Sequence, residues 1–202
     1  MVHAYHVIFS AYGFWLPNDP RGSWSDFVGA WELLRFGNAT KTTERRSLAW
    51  DPHDVARRLA AKQVLKYPAV QFTGIQARAV GRGFGQFVKT NGLTIWACAI
   101  LPEHVHMIIA RHHYKVEQIV NLLKGDATRR LKEEGLHPFA NYQAANGKLP
   151  KCWGRGEWKV FIDNEPQLWA AIRYVERNPL KENKPLQRWP FVVPFEGLGK
   201  VV

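Results

Sequence analysis

Two short stretches of this 202-residue chain carry side chains that could do chemistry on a phosphate ester. The first is His104-Val105-His106. On a strand, alternate side chains share a face, so both imidazoles point one way and Val105 the other. Two imidazoles so placed suit a divalent metal, although paired histidines also arise for structural reasons alone. The second stretch is Tyr174-Val175-Glu176-Arg177-Asn178-Pro179, read as part of the last helix. At about 100° per residue, positions four apart differ by only about 40°, so Tyr174 and Asn178 share a face. Leu168, Ile172 and Val175 make the core-facing stripe, which leaves the tyrosine and the amide off its centre. Arg173 and Arg177 flank Tyr174 on the other side. A phenol beside an amide oxygen and two guanidiniums is a reasonable phosphodiester site. Taken alone, a helical tyrosine is more often packing.

The elements that must position these groups are legible from pattern. His3 to Tyr12 reads as a first strand, followed by an irregular stretch over 14–50 rich in turn residues around Pro17 to Gly22. A helix is expected from Asp51 to Lys66, and a second from about Thr73 to Thr90, weakened by Gly81, Gly83 and Gly85. Asn91-Gly92 stops it. Leu93 to Leu101 and Val105 to Ala110 read as a buried hairpin. Val116 to Glu134 is the clearest amphipathic helix, with Lys124, Arg129, Arg130 and Lys132 as candidate phosphate contacts, although a charged helix face is more often just solvated. A short strand over Trp158 to Ile162 follows, and Asn164 with Pro166 caps a last helix that Asn178-Pro179 should end. His112-His113 read as a surface pair. The order matches an α+β, ferredoxin-like split βαβ pattern: an antiparallel sheet with helices packed on one face. One domain over 1–202 is expected, with 180–202 as a Pro-rich tail.

Composition narrows the class of partner. With 28 Lys plus Arg against 17 Asp plus Glu, the formal charge is +11. A basic surface of that size concentrates polyanions, which favours nucleic acid, though a merely soluble basic protein is also compatible with it. Nine tryptophans, most of them expected in the core, leave room for aromatic faces that stack on unpaired bases. The absence of any run of about 18 apolar residues argues against a membrane span. No secretory leader is expected at Met1 to Ser10, and Cys98 and Cys152 read as reduced thiols.

Taken together, the two stretches resemble a known family. Leu101-Pro102-Glu103-His104-Val105-His106-Met107-Ile108-Ile109 is similar to the Met-Pro-x-His-Val-His-hydrophobic signature of the single-tyrosine HUH (IS200-like) transposases. Arg173 to Pro179 is similar to the Tyr-Ile-x-x-Asn-Pro signature of one branch, the REP-associated tyrosine transposases. The resemblance extends to Tyr5 to Phe9 and to Trp153 to Asp163, and is weakest over 14–50. Leu101 stands where Met is usual and Glu103 where Asn is common.

The resemblance implies a metal-dependent enzyme that cuts and transfers single-stranded DNA, folded into REP-like hairpins. It implies Tyr174 as the catalytic nucleophile and a 5′-phosphotyrosine intermediate. His104, His106 and Asn178 would hold one Mg²⁺ or Mn²⁺. Arg173, Arg177, Arg129, Arg130, Lys124 and Arg21 are then candidate DNA contacts. Whether the metal, Arg173 or Arg177 favours the phenolate is left open by the sequence. A monomer is expected rather than the homodimer formed by relatives with a swapped tyrosine helix, and the expected location is cytoplasmic and nucleoid-associated. The alternative is a non-catalytic, domesticated hairpin DNA-binding protein. Histidine-triad hydrolases need a third histidine where Ile108 stands, two-histidine phosphoesterases need a repeated His-x-Ser/Thr that is missing, and rolling-circle initiators usually carry Lys where Asn178 stands.

Overall fold

In the computed structural model, which describes residues 1–16, 19, 27–40 and 51–198, four strands form one sheet in the order β2-β3-β1-β4. They are β1 (Ala4–Ser10), β2 (Ile95–Ile100), β3 (His104–Ala110) and β4 (Trp158–Ile162). Every neighbouring pair is antiparallel. With β3 inserted between β1 and β2, this is the split βαβ arrangement expected from element order.

Alternation along β3 sets the layers. Val105, Met107 and Ile109 face a core shared with α2 (Gly74–Asn91) and α3 (Val116–Glu133), the helices that cross between strands. His104, His106 and Ile108 therefore face the other way. On that second face Ile108 packs with Leu168, Ile172 and Val175 of α4 (Glu165–Lys181). The fold is α+β as expected, but the expectation of helices on one face is corrected: α2 and α3 cover one face and α4 the other. The reason is that both faces of the sheet offer apolar side chains, each needing a cover. Burying one large apolar side chain is worth about 1.5–3 kcal/mol, and Phe9, Phe84, Met107, Leu123 and Leu131 are all fully buried.

Local chemistry explains the element ends. Thr73 and Gln76 form a reciprocal capping box at the start of α2, and Gly92 in the left-handed region closes it. The glycines that weakened α2 on propensity have a packing role. A Cβ on Gly83 would lie 2.7 Å from the Ala127 backbone of α3, so glycine lets the two helices approach. Gly81 similarly makes room for the Trp189 ring. The first helix, α1 (Val55–Gln63), is shorter than expected because Asp54, not Asp51, caps it, accepting from Arg57 N–H at 2.8 Å. The 14–50 stretch contains a two-turn 3-10 helix, Trp31–Phe36, whose Leu33 and Phe36 bury against Leu16 and Ala61.

The described part of the tail, up to residue 198, is tied to the sheet. Gln187 exchanges two hydrogen bonds of 2.8 Å with the Ile100 backbone, and Val193 N–H donates to Ile95 carbonyl at 2.9 Å. It thus covers β2, an edge strand that would otherwise present unpaired backbone groups. Among the described residues no helix is long and apolar enough to cross a membrane, and both cysteines are free and buried.

Candidate active site

The α4 side of the sheet brings Tyr174 to the histidines. Asn164 caps α4 by accepting from Gln167 N–H, and Pro166 sits in its first turn, where a missing N–H costs nothing. Leu168, Ile172 and Val175 bury against the sheet as the 3.6-residue period requires. That seating leaves the Tyr174 ring 5.7 Å from His106 and 5.8 Å from His6, both edge-on. Asn178, one turn later, is buried, and its amide acts on the phenol against the effect of burial.

The sequence placed the end of α4 at Asn178-Pro179, and this is corrected. The helix runs through a buried Pro179 to Lys181. There proline gives up its backbone bond to Val175 and crowds that carbonyl, a cost the helix bears in its last turn. The two extra residues matter, because Lys181 reaches back to place its ammonium 4.1 Å from the centre of the Tyr174 ring. Glu182 follows, its carboxylate 3.9 Å from His104 Nε2.

His104 and His106 lie side by side with ring centres 4.9 Å apart, and His104 stacks flat on Phe14 at 4.8 Å. Both are buried, as is His6, whose Nε2 lies 3.2 Å from His106 Nδ1. Burial, reinforced by the neighbouring His104, His6 and Lys181, holds the His106 imidazole well below its usual range. Burial alone takes His6 down to about 4. These rings are neutral near pH 7, the form in which an imidazole binds a metal. Burial raises the Tyr174 phenol, and the Asn178 hydrogen bond works in the opposite direction.

Among the described residues no group of three or more His, Cys, Asp or Glu is placed to hold a metal ion. The donors available are two imidazoles of β3 and, one turn past Tyr174 on α4, the buried Asn178 amide. That set fits a divalent ion whose remaining coordination positions are filled by water or phosphate oxygen.

The other candidates are distributed differently. Arg173 and Arg177 are exposed on α4, the helix of the tyrosine. Arg129 and Arg130 lie on α3, across the sheet, where Arg129 pairs with Asp126 at 2.8 Å and Arg130 with Glu133 at 3.4 Å. Lys124 departs from the solvent-facing position read from the sequence. It is 7% exposed and donates to the carbonyls of Gly154 and Gly156 at 3.1 and 2.7 Å. Those partners tie α3 to the loop before β4 and leave no phosphate access. Arg21, and most of the Trp15 to Trp24 loop, lie outside the described residues. An open cavity of about 690 Å³ beside Arg35, Phe36 and Arg57 shares no lining residue with the tyrosine–histidine cluster. It holds no nucleophile or general base.

Sequence reasoning assigned no role to His6, Lys181 or Glu182. His6 stood within the Tyr5 to Phe9 stretch of the resemblance, on the first strand, without an assigned role. Lys181 and Glu182 fall seven and eight residues after Tyr174, a helical spacing obscured by Pro179.

The family model described as "Transposase IS200 like" matches residues 63–178, a stretch that contains His104, His106, Tyr174 and Asn178 and ends at the last of them. Among solved structures, the chain is similar to the REP-associated tyrosine transposase solved bound to a REP hairpin. The identity there is 14% and the TM-score 0.48, with 94% of this chain and 74% of that one covered. It is also similar to a candidate transposase from Deinococcus radiodurans R1, at 12% identity and a TM-score of 0.40, covering 93% and 94%. Among curated proteins, none matches the sequence.

Proposed function

This chain belongs to the IS200-like transposase family, and we propose that it cuts and rejoins single-stranded DNA with Tyr174 as the nucleophile. The observation that carries the reading is the packing of the Tyr174 ring 5.7 Å from His106, one helical turn before the buried Asn178 amide. A merely structural tyrosine has no need of two buried imidazoles at its ring.

His104, His106 and the Asn178 side-chain oxygen would hold one Mg²⁺ or Mn²⁺. When bound, such an ion supplies charge neutralisation at the non-bridging oxygens of the scissile phosphate. The chain's own residues do the rest. The Tyr174 oxygen attacks phosphorus as its proton leaves, the bond to the 3′ oxygen breaks, and that oxygen takes a proton to become a 3′-OH. A 5′-phosphotyrosine results. Because the ester is retained, a second 3′-OH can reverse the step and join strands without another energy source. The Asn178 amide donates toward the phenol oxygen, and the Lys181 ammonium adds positive charge beside the ring. Both favour the phenolate against the burial that opposes it.

Exposed Arg173 and Arg177 lie together on one side of this nucleophile on α4 and are suited to phosphates of the bound strand. A hairpin-forming strand of the REP type is the proposed substrate, resting on the sequence resemblance and the +11 charge. The tyrosine helix lies against the histidines of its own chain, which supports action as a monomer.

The test uses 5′- and 3′-labelled single-stranded hairpin oligonucleotides with Mg²⁺, Mn²⁺ or EDTA, beside Tyr174→Phe. The expected result is an SDS-resistant adduct on the 3′ fragment that needs metal and disappears in Tyr174→Phe. Cleavage that persists in Tyr174→Phe would transfer the nucleophile to water. Binding without cleavage would favour a domesticated DNA-binding protein.

A further inference from the structure

We propose that His6 is a positioning residue that fixes which nitrogen of His106 carries its proton. The inference rests on the reading of His106 as a metal ligand and adds a residue to that site.

The antiparallel register brings the two together. Ile8 pairs with His106 and His6 with Ile108, so His6 and His106 are diagonal neighbours on the face toward α4. There His6 Nε2 meets His106 Nδ1 at 3.2 Å, with both rings buried. Trp158 and Tyr174 lie edge-on to the His6 ring at 5.5 and 5.8 Å, closing it in on two sides. Three histidines thus line one face, yet no group of three is placed to hold one metal ion among the described residues. The close contact is a hydrogen bond between two imidazoles.

Two neutral imidazoles joined in this way share one proton, and its location decides the chemistry. If His106 donates from Nδ1, its Nε2 keeps a lone pair and can bind a metal. If His6 donates from Nε2, His106 must carry its own proton at Nε2 and is useless as a ligand through that atom. A metal-binding histidine commonly donates its second ring N–H to a carboxylate or carbonyl, and that partner sets the tautomer. His106 has an imidazole in that place. His6 Nε2, 3.2 Å from His106 Nδ1, is placed to accept that N–H through its lone pair. A carboxylate there would bring a second negative group beside the scissile phosphate. A neutral acceptor sets the tautomer without that repulsion.

The test compares wild type, His6→Phe and His6→Gln without DNA, so that it does not depend on turnover. Mn²⁺ affinity is measured by titration followed by electron paramagnetic resonance, and the melting temperature is recorded for each protein. His6→Phe fills the space but accepts no hydrogen bond. It is expected to weaken Mn²⁺ binding roughly 10- to 100-fold at an unchanged melting temperature. His6→Gln presents an amide oxygen to Nδ1–H and should recover most of the affinity. Equal affinity in wild type and His6→Phe, or a glutamine variant as weak as the phenylalanine one, overturns the proposal. A second reading uses ¹⁵N NMR of the metal-free proteins. His106 is expected to be protonated at Nδ1 in wild type and mixed in His6→Phe. An Nε2–H tautomer in wild type would refute the proposal. That arm still decides the role of His6 if wild type binds no Mn²⁺, in which case the metal site itself is what fails.

Discussion

Lys181 places its ammonium 4.1 Å from the centre of the Tyr174 ring, seven residues back along the same helix. A cation so close favours the ionised phenol, whose formation burial opposes. Activity that needs the phenolate rises with pH until the phenol has titrated. Removing the cation should move that limb to higher pH. Lys181→Met is therefore expected to cleave about tenfold more slowly near pH 7, which corresponds to about one pKa unit, and to recover in alkali. A pH–rate profile at saturating DNA checks this. An unshifted limb would remove Lys181 from phenolate stabilisation.

Asn178 is asked to do two things at once, and one substitution separates them. Asn178→Asp keeps an oxygen for a metal but loses the N–H that meets the phenol, and it adds a negative charge beside it. Mn²⁺ binding should be retained or tightened while cleavage slows by roughly tenfold or more. Calorimetric titration and single-turnover cleavage read the two separately. Parallel loss of both would assign Asn178 to packing.

The arginines divide by layer. Arg173 and Arg177 share α4 with Tyr174, whereas Arg129 and Arg130 sit on α3 and are paired with acids of their own helix. Replacing Arg173 and Arg177 with Ala should flatten the salt dependence of single-strand binding by about 1.4 in log–log slope, about 0.7 for each lost phosphate contact. Replacing Arg129 and Arg130 should change it less. The reverse ranking would put the strand on the α3 side of the sheet.

Two glycines provide a paired test of the helix crossing. A Cβ at Gly83 would meet Ala127 backbone at 2.7 Å, while one at Gly125 meets nothing within 4 Å. Gly83→Ala is expected to cost about 1–3 kcal/mol through overpacking. Gly125→Ala, in an open helix position, should gain about 0.5–1 kcal/mol. Urea unfolding measures both, and a neutral Gly83→Ala would mean that α2 and α3 can part cheaply.

The order of elements and most of the proposed site were legible in the sequence because both rest on local periodicity. Alternation aligned His104 with His106, and the helical repeat aligned Tyr174 with Asn178, wherever those elements came to lie. Thr73, Gly92, Asn164 and Pro166 marked helix ends by chemistry that acts within one turn. Register and layer are different in kind, since they depend on which distant segments pair. Nothing near His6 in the chain announces that β1 will set it beside His106, one hundred residues away. Nor does the charged side of α3 reveal that Lys124 will turn inward to the carbonyls of Gly154 and Gly156. The placement of α4 on the face opposite α2 and α3 was likewise decided by the sheet, which has two apolar faces to cover. Local spacing thus determined which groups could act together, and long-range pairing decided which neighbours they received.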